Sequence, residues 1–244
     1  MNRIHLLSAI ALASLASCSS TSKAVGVHRV DDLLGRVERV HLDAELCQLN
    51  AHQSVEALRV LVMGEYDTSA AEAFAELEQK VAEFRFQSQR LQGDIDPMNR
   101  SAVVVFERWM QDMDQFSSQH LRDRSRKRLA ETRELYTQVL LDHAPAQAEL
   151  DHFALLLDDH MLYLSNDLSA SAVASLADAI DLLRAELDDV DEAVDSLKGA
   201  AAEYVSTTAP IGQVRPAPGQ TLPSQASDTS DEFESVETTG DEQG

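Results

Sequence analysis

The chain has 244 residues, a formal charge of −22 and a pI near 4.5. That excludes a protein that grips nucleic acid through a broadly basic face, because phosphate contacts need Lys and Arg. Aromatic residues make up 5% of the chain, and only Gly35, Gly64, Gly93, Pro97 and Pro145 interrupt residues 27 to 198, so the composition reads as mostly helix rather than as an ordinary globular enzyme.

The start Met1-Asn2-Arg3 is basic and leads into the apolar run Ile4 to Ala16, which is too short to span a bilayer and reads as a secretory signal. The run ends in Leu15-Ala16-Ser17-Cys18, which resembles the bacterial lipobox, where small residues fit the lipoprotein signal peptidase and the Cys thiol takes a diacylglyceryl group. The expectation is a signal peptide over 1–17, lipidation of Cys18 (diacylglyceryl and palmitate chains), and a tether over 18–28. Three acyl chains at roughly 0.8 kcal/mol per buried CH₂ anchor a protein almost irreversibly. Ser19 after the Cys resembles the default outer-membrane sorting signal, so the chain is expected to face the periplasm, on the outer membrane of a Gram-negative bacterium; inner versus outer membrane stays open. With Cys18 lipidated, Cys47 is the only thiol left and no intramolecular disulfide forms.

From Val30 apolar residues recur at three and four, in a seam of Val30, Leu33, Val37, Val40, Ala44, Cys47, Ala51, Leu58 and Leu61. A second seam runs Phe74, Leu77, Val81, Phe84, Leu91, Ile95, Met98, Ala102, Val105, Trp109, Phe116. A third holds register across Pro145: Leu129, Thr132, Tyr136, Val139, His143, Ala146, Leu150, Phe153, Leu157, His160, Leu164. The fourth is apolar throughout: Val173, Leu176, Ile180, Leu183, Leu187, Val190, Val194, Leu197, Ala201, Tyr204. Turns fall at 64–69, 117–119 and 165–169, with Ser169 placed to cap the last helix. At Pro97 and Pro145 the kept phase favours bent helices, while Gly93 and Asp96-Pro97 also make a stop and restart.

The fold class is therefore all-α: long antiparallel coiled-coil helices over 29–205, in an up-down four-helix bundle. Four helices of roughly 35, 48, 45 and 36 residues do not match in length, so the longer middle pair is expected to project as a two-helix tip near residues 108 to 128. After Val205 the composition turns to Thr, Pro, Gly, Ser and acid, and 206–244 reads as a disordered acidic tail of net charge −6.

Chemistry-bearing constellations are sparse. The pairs Glu38/His41 and Glu149/His152 resemble the Glu-x-x-His ligands of di-iron bundles, but they lie beside or outside the seams, where ligands do not converge, so no metal and no cofactor is expected. His143 and His160 occupy seam positions and form a candidate pH-sensitive core, with a register-setting polar layer as the plainer reading. Cys47 and Trp109 read as packing residues. No Gly-rich phosphate loop, nucleophile elbow or Cys-x-x-Cys is present, so no catalytic residue is assigned and the chain is read as a non-enzyme.

The strongest local anomaly is His120 to Arg133, with Arg122, Arg124, Arg126, Lys127, Arg128 and Arg133 against Asp123 and Glu131, a net +4. The first five of these cations are the candidate interaction tip, for anionic lipid or an acidic envelope partner, unless neighbouring acids neutralise them.

Phe106-Glu107-Arg108-Trp109, then Phe116-Ser117-Ser118, Leu121-Arg122, Ser125, Leu129, Thr132 and Tyr136, resemble the signature region of an uncharacterised bacterial lipoprotein family, domain of unknown function 2959. Val25-Gly26-Val27-His28-Arg29, Leu162-Tyr163-Leu164, Asn166, Leu168, Ala172, Ala174, Ser175 and Leu176 agree, so the similarity covers roughly 24 to 205. The chain departs from the pattern at Phe116, where such proteins carry Tyr. The resemblance implies a lipoprotein of long helices and supplies no activity or catalytic residue. The functional expectation is a lipid-anchored envelope coiled-coil protein with a structural, scaffold or membrane-associated role. The alternatives are a metal- or ligand-binding helical-bundle enzyme and a self-assembling coiled-coil lipoprotein, a homo-oligomer formed through exposed seams.

Overall fold

Residues 31–209 are described by the computed structural model; the signal segment, Cys18, the tether and nearly all of the acidic tail lie outside them. Among the described residues there are five helices and no strand: α1 (Asp31–Met63), α2 (Ala70–Met113), α3 (Gln119–Asn166), α4 (Ala170–Ala174) and α5 (Ala177–Thr208). The four long helices close a ring in which α1 packs on α2 and α5, and α3 packs on α5 and less extensively on α2. Cross-links fix the directions. Asp32 meets Ser101 and Asp43 meets Gln87, His52 meets Asp191, and Tyr136 meets Asn99 while Gln147 meets Ser88, so each neighbour runs antiparallel to the last.

The four seams are the core. Every described member of the first is buried, from Leu33 to Leu61, as are Leu77, Val81, Phe84, Leu91, Met98, Ala102 and Val105 of the second. Ala146, Leu150, Phe153, Leu157 and Leu164 hold the third, and Ile180 to Tyr204 the fourth. Phe84 and Phe153 meet edge-on at 5.7 Å in mid-bundle, and Phe106, Tyr136 and Tyr204 form an edge-to-face chain nearer the tip.

Local signals explain the ends. Gly64 sits at φ 70° after α1, its N–H bonding to Leu61 O and the Glu65 N–H to Val60 O, the double bond of a Schellman turn that a side chain at Gly64 would strain. Ser69 and Glu72 form a reciprocal capping box on α2. Ser118 accepts from Leu121 N–H at the start of α3. Both prolines lie inside unbroken helices, Pro97 in α2 and Pro145 in α3, so the seam phase prevails over the stop-and-restart signal at Gly93 to Pro97.

One expectation is corrected. Ser169 caps only the short α4, and the long last helix starts at Ala177. Ser175 is the cause: its hydroxyl donates to Ala172 O at 2.6 Å, and Leu176 N–H bonds to Val173 O, a tighter turn that interrupts the helical ladder.

The unequal lengths leave a two-helix tip. The first turn of α1 is joined to α2 at Ser101, whose hydroxyl donates to Asp32 Oδ2 at 2.5 Å, and the last turn of α5 is joined to α3 where Arg128 donates to Thr207 O. Beyond those points only α2 and α3 continue, and from Ser101 to Met113 the extension is about 18 Å.

Candidate functional site

Two places in the bundle carry more than packing: a polar layer inside it and the tip beyond it.

The polar layer begins at Asp43 on α1, which is 1% exposed. Gln87 Nε2 donates to its Oδ1 at 2.9 Å, and the Arg90 guanidinium pairs with the same oxygen at 3.0 Å from a half-exposed position. Asp94, one turn further along α2, is brought against Asp43, and neither carboxyl's Oδ2 has a donor among the described residues. As carboxylates both oxygens only accept, so only a proton held by one acid can join them. Burial pushes the Asp94 carboxyl above its ordinary value, the hydrogen bond to Asp43 and its charge push the same way, and Arg39 and Arg90 oppose. The layer continues across α2, because Ser88 beside Gln87 accepts from Gln147 Nε2 of α3 at 3.1 Å, and the same amide donates to Asp151 at 2.8 Å. Cys47 lies one turn from Asp43 and is fully buried; burial pushes its thiol up to about 12, which makes it inert packing.

None of Asp43, Gln87, Ser88 and Gln147 stands out in the sequence. The available signal was a gap, since the second seam passes from Phe84 to Leu91 without an apolar member, and Gln87 and Ser88 fill it.

The two seam histidines are half-buried and differ. His143 Nε2 has no partner among the described residues, and burial holds its imidazole below the ordinary value, against a weaker opposite pull from Asp151. His160 Nδ1 donates to Leu156 O at 2.6 Å, one turn back in its own helix. The Glu-x-x-His pairs are not brought together, since α1 and α3 are not neighbours in the ring. His41 Nδ1 donates to Lys198 O at 3.1 Å, and His152 pairs with Glu186 at 3.3 Å.

At the tip, α2 and α3 collect what the chain keeps apart. Arg122 donates to Phe116 O at 2.6 Å and to Gln119 at 3.2 Å, tying the connecting loop to the first turn of α3. Arg126 pairs with Asp123 at 2.9 Å, while Lys127 and Arg128 share Glu131 at 3.7 and 3.8 Å. These are exposed same-helix pairs, each of about 0.3–0.5 kcal/mol, so they neutralise the island only in part. Among the described residues Arg124 forms no ion pair, and neither do Arg100 and Arg108, which the hairpin adds to the island from α2. Residues 100–133 hold eight basic and five acidic side chains, a net +3. Apolar groups are interleaved with them. Val103, Val104, Met110 and Leu121 are 41–63% exposed, and half-buried Trp109 is pinned by its Nε1–H donating to Ser125 Oγ at 2.9 Å. Arg133 lies 5.3 Å over the Phe106 ring, beside an open groove of about 380 Å³ that Val103 and Met110 also line.

No group of three or more His, Cys, Asp or Glu able to hold a metal ion occurs among the described residues, and none of their helices is long and apolar enough to cross a membrane. A family model described as "Protein of unknown function (DUF2959)" matches residues 19–190. Neither the curated proteins nor the solved structures contain a match.

Proposed function

This chain belongs to the DUF2959 family of proteins of unknown function, and from that premise we propose that it is a lipid-anchored envelope protein, tethered through Cys18 to the periplasmic face of the outer membrane, whose helical bundle acts by interaction and not by catalysis. The observation that carries the reading is the join of Asp32 to Ser101: α1 starts at the base of the projecting tip, so the anchor-bearing end of the chain and the basic hairpin share one end of the bundle. The lipobox-like Leu15-Ala16-Ser17-Cys18 supplies the anchor.

The test is metabolic labelling of cells with an alkyne fatty acid, followed by membrane fractionation. Label on the wild type, and its loss with release of the chain in Cys18→Ala, is expected. An unlabelled wild-type chain overturns the proposal.

Self-assembly is a second reading, favoured by outward leucines at helical spacing on two non-adjacent helices: Leu42, Leu46 and Leu49 on α1, and Leu141, Leu155 and Leu162 on α3, at 40–64% exposure. A mass in solution above one chain, reduced by Leu155→Glu, supports it; a monomer at high concentration removes it. The enzyme reading has buried Asp43 and half-buried Asp94 as the most unusual chemistry among the described residues, and elemental analysis of chain purified without chelator tests its metal form.

A further inference from the structure

We propose that the tip formed by the ends of α2 and α3 docks on an anionic phospholipid surface, with Met110, Trp109 and Leu121 entering the headgroup boundary and Arg108, Arg124 and Lys127 holding phosphate. This deepens the reading of the chain as a membrane-tethered bundle and rests on it for the identity of the bilayer.

Charge complementarity is the first support. The described residues outside 100–133 carry eight basic and thirty acidic side chains, so an anionic surface repels the rest of the described bundle taken as a whole and attracts this hairpin. The pairing pattern agrees. Among the described residues elsewhere on the bundle, seven of eight cations (Arg36, Arg59, Lys80, Arg85, Arg90, Arg184 and Lys198) each meet a carboxylate and Arg39 does not, whereas five of the eight at the tip, Arg108 and Arg124 among them, form no ion pair. A cation kept without a carboxylate in a strongly acidic chain is free to accept an external anion.

The second support is the mixture of side chains. A soluble partner surface of phosphate or carboxylate alone does not call for Val103, Val104, Met110 and Leu121 left 41–63% exposed among the arginines. Trp, Met and Leu beside Arg and Lys is the composition of an element lying at a bilayer interface, where the apolar part sinks and the cations stay with the headgroups. Each Lys or Arg near such a surface adds a modest, salt-sensitive attraction, so a handful gives reversible docking rather than anchoring.

Reach is the third. The tip extends about 18 Å beyond the start of α1. Thirteen residue steps separate Cys18 from Asp31, a length that spans at most about 45 Å, so an anchored chain brings its tip to its own bilayer without straining the tether.

The chain has a single tryptophan, and it is in the tip. The mature chain 18–244 with Cys18→Ser is titrated with vesicles of phosphatidylcholine alone and with phosphatidylglycerol added, and Trp109 emission is followed with brominated phospholipid as quencher. Binding and quenching on the anionic vesicles only are expected, with at least tenfold weaker binding for Arg108→Glu/Arg124→Glu/Lys127→Glu and in 0.5 M salt. Leu121→Ser, at an exposed position that leaves the fold intact, is expected to weaken quenching more than it weakens electrostatic capture. Far-ultraviolet dichroism confirms that each variant is folded. Absence of binding to anionic vesicles overturns the proposal, as does binding unchanged by the triple reversal, or capture of soluble polyglutamate with no vesicle binding, which assigns the tip to an acidic polymer. Failure of Cys18 acylation in cells would leave these vesicle results standing, so the two readings fall separately.

Discussion

Replacing Asp94 by Asn is expected to stabilise the bundle at alkaline pH and to do nothing at acid pH. In the folded chain burial and Asp43 hold the Asp94 carboxyl above its ordinary 3.8, so the native state keeps a proton that the unfolded chain releases. The stability this adds is complete below 3.8 and is lost as pH rises through the raised folded value. Asp94 is half-buried, and Arg39 and Arg90 offset part of the repulsion, so the loss is that of one hydrogen bond between the two acids in a solvent-screened position, about 1–2 kcal/mol. Asn does not ionise, and its amide N–H donates to Asp43 Oδ2 at every pH, in place of two carboxylates in contact. For a bundle of this size 1 kcal/mol moves Tm by about 2–4 °C, so at pH 8 the variant should melt about 2–8 °C above the wild type, the gap closing near pH 4. Thermal dichroism at 222 nm on the full chain, every half unit between pH 4 and 9, reads this directly. The difference between the two curves cancels Asp32 and Asp195, whose carboxyls are held low by Ser101 and Lys198 and which lose stability in the opposite direction, toward acid. A gap independent of pH, or a variant less stable at pH 8, refutes the shared proton.

Phe153→Ala should cost about 3–5 kcal/mol in urea denaturation, because the ring is fully buried and edge-packed on Phe84; a loss under 1 kcal/mol would place the core elsewhere. Cys47, with its thiol buried and pushed up to about 12, should resist a thiol reagent at pH 8 in Cys18→Ser chain and react at once in denaturant; rapid native labelling contradicts the packing of α1 on α2. His143, held below 6.5 by burial, binds fewer protons folded than unfolded, so its contribution is intact above 6.5 and lost as pH falls below it. His143→Gln should flatten stability between pH 5 and 7, and an unchanged slope there removes His143 from any acid response.

Much of the fold is legible along the chain because its signals are local. The seams at three and four residues predict which face of each helix is buried, and the described members from Leu33 to Tyr204 are largely where that phase puts them. Gly64 and Ser69 mark a helix end and a helix start through one backbone angle and one hydroxyl. Pro97 shows the limit of such signals: a breaker beside Gly93 and Asp96 argues for a stop, yet the flanking residues Leu91 and Met98 are both fully buried, and packing on both sides carries the helix through. Ser175 shows the converse, a small local bond that splits a helix whose seam is unbroken in sequence.

What the sequence by itself determined is the one-dimensional part: four amphipathic helices, their order, their unequal lengths, and the basic island at one turn. The tertiary structure decided what depends on neighbours distant in the chain. Asp43 reads as one more acid between Val40 and Ala44, and only the antiparallel register of α1 on α2 sets it beside Gln87, Arg90 and Asp94 and makes its charge a matter of stability. Arg108 and Arg124 are sixteen residues apart and belong to one surface because α2 and α3 outrun α1 and α5 together. Helical periodicity is a property of each segment, whereas burial of a charge and the gathering of cations are properties of pairs of segments, and those exist only once the helices have chosen partners and register.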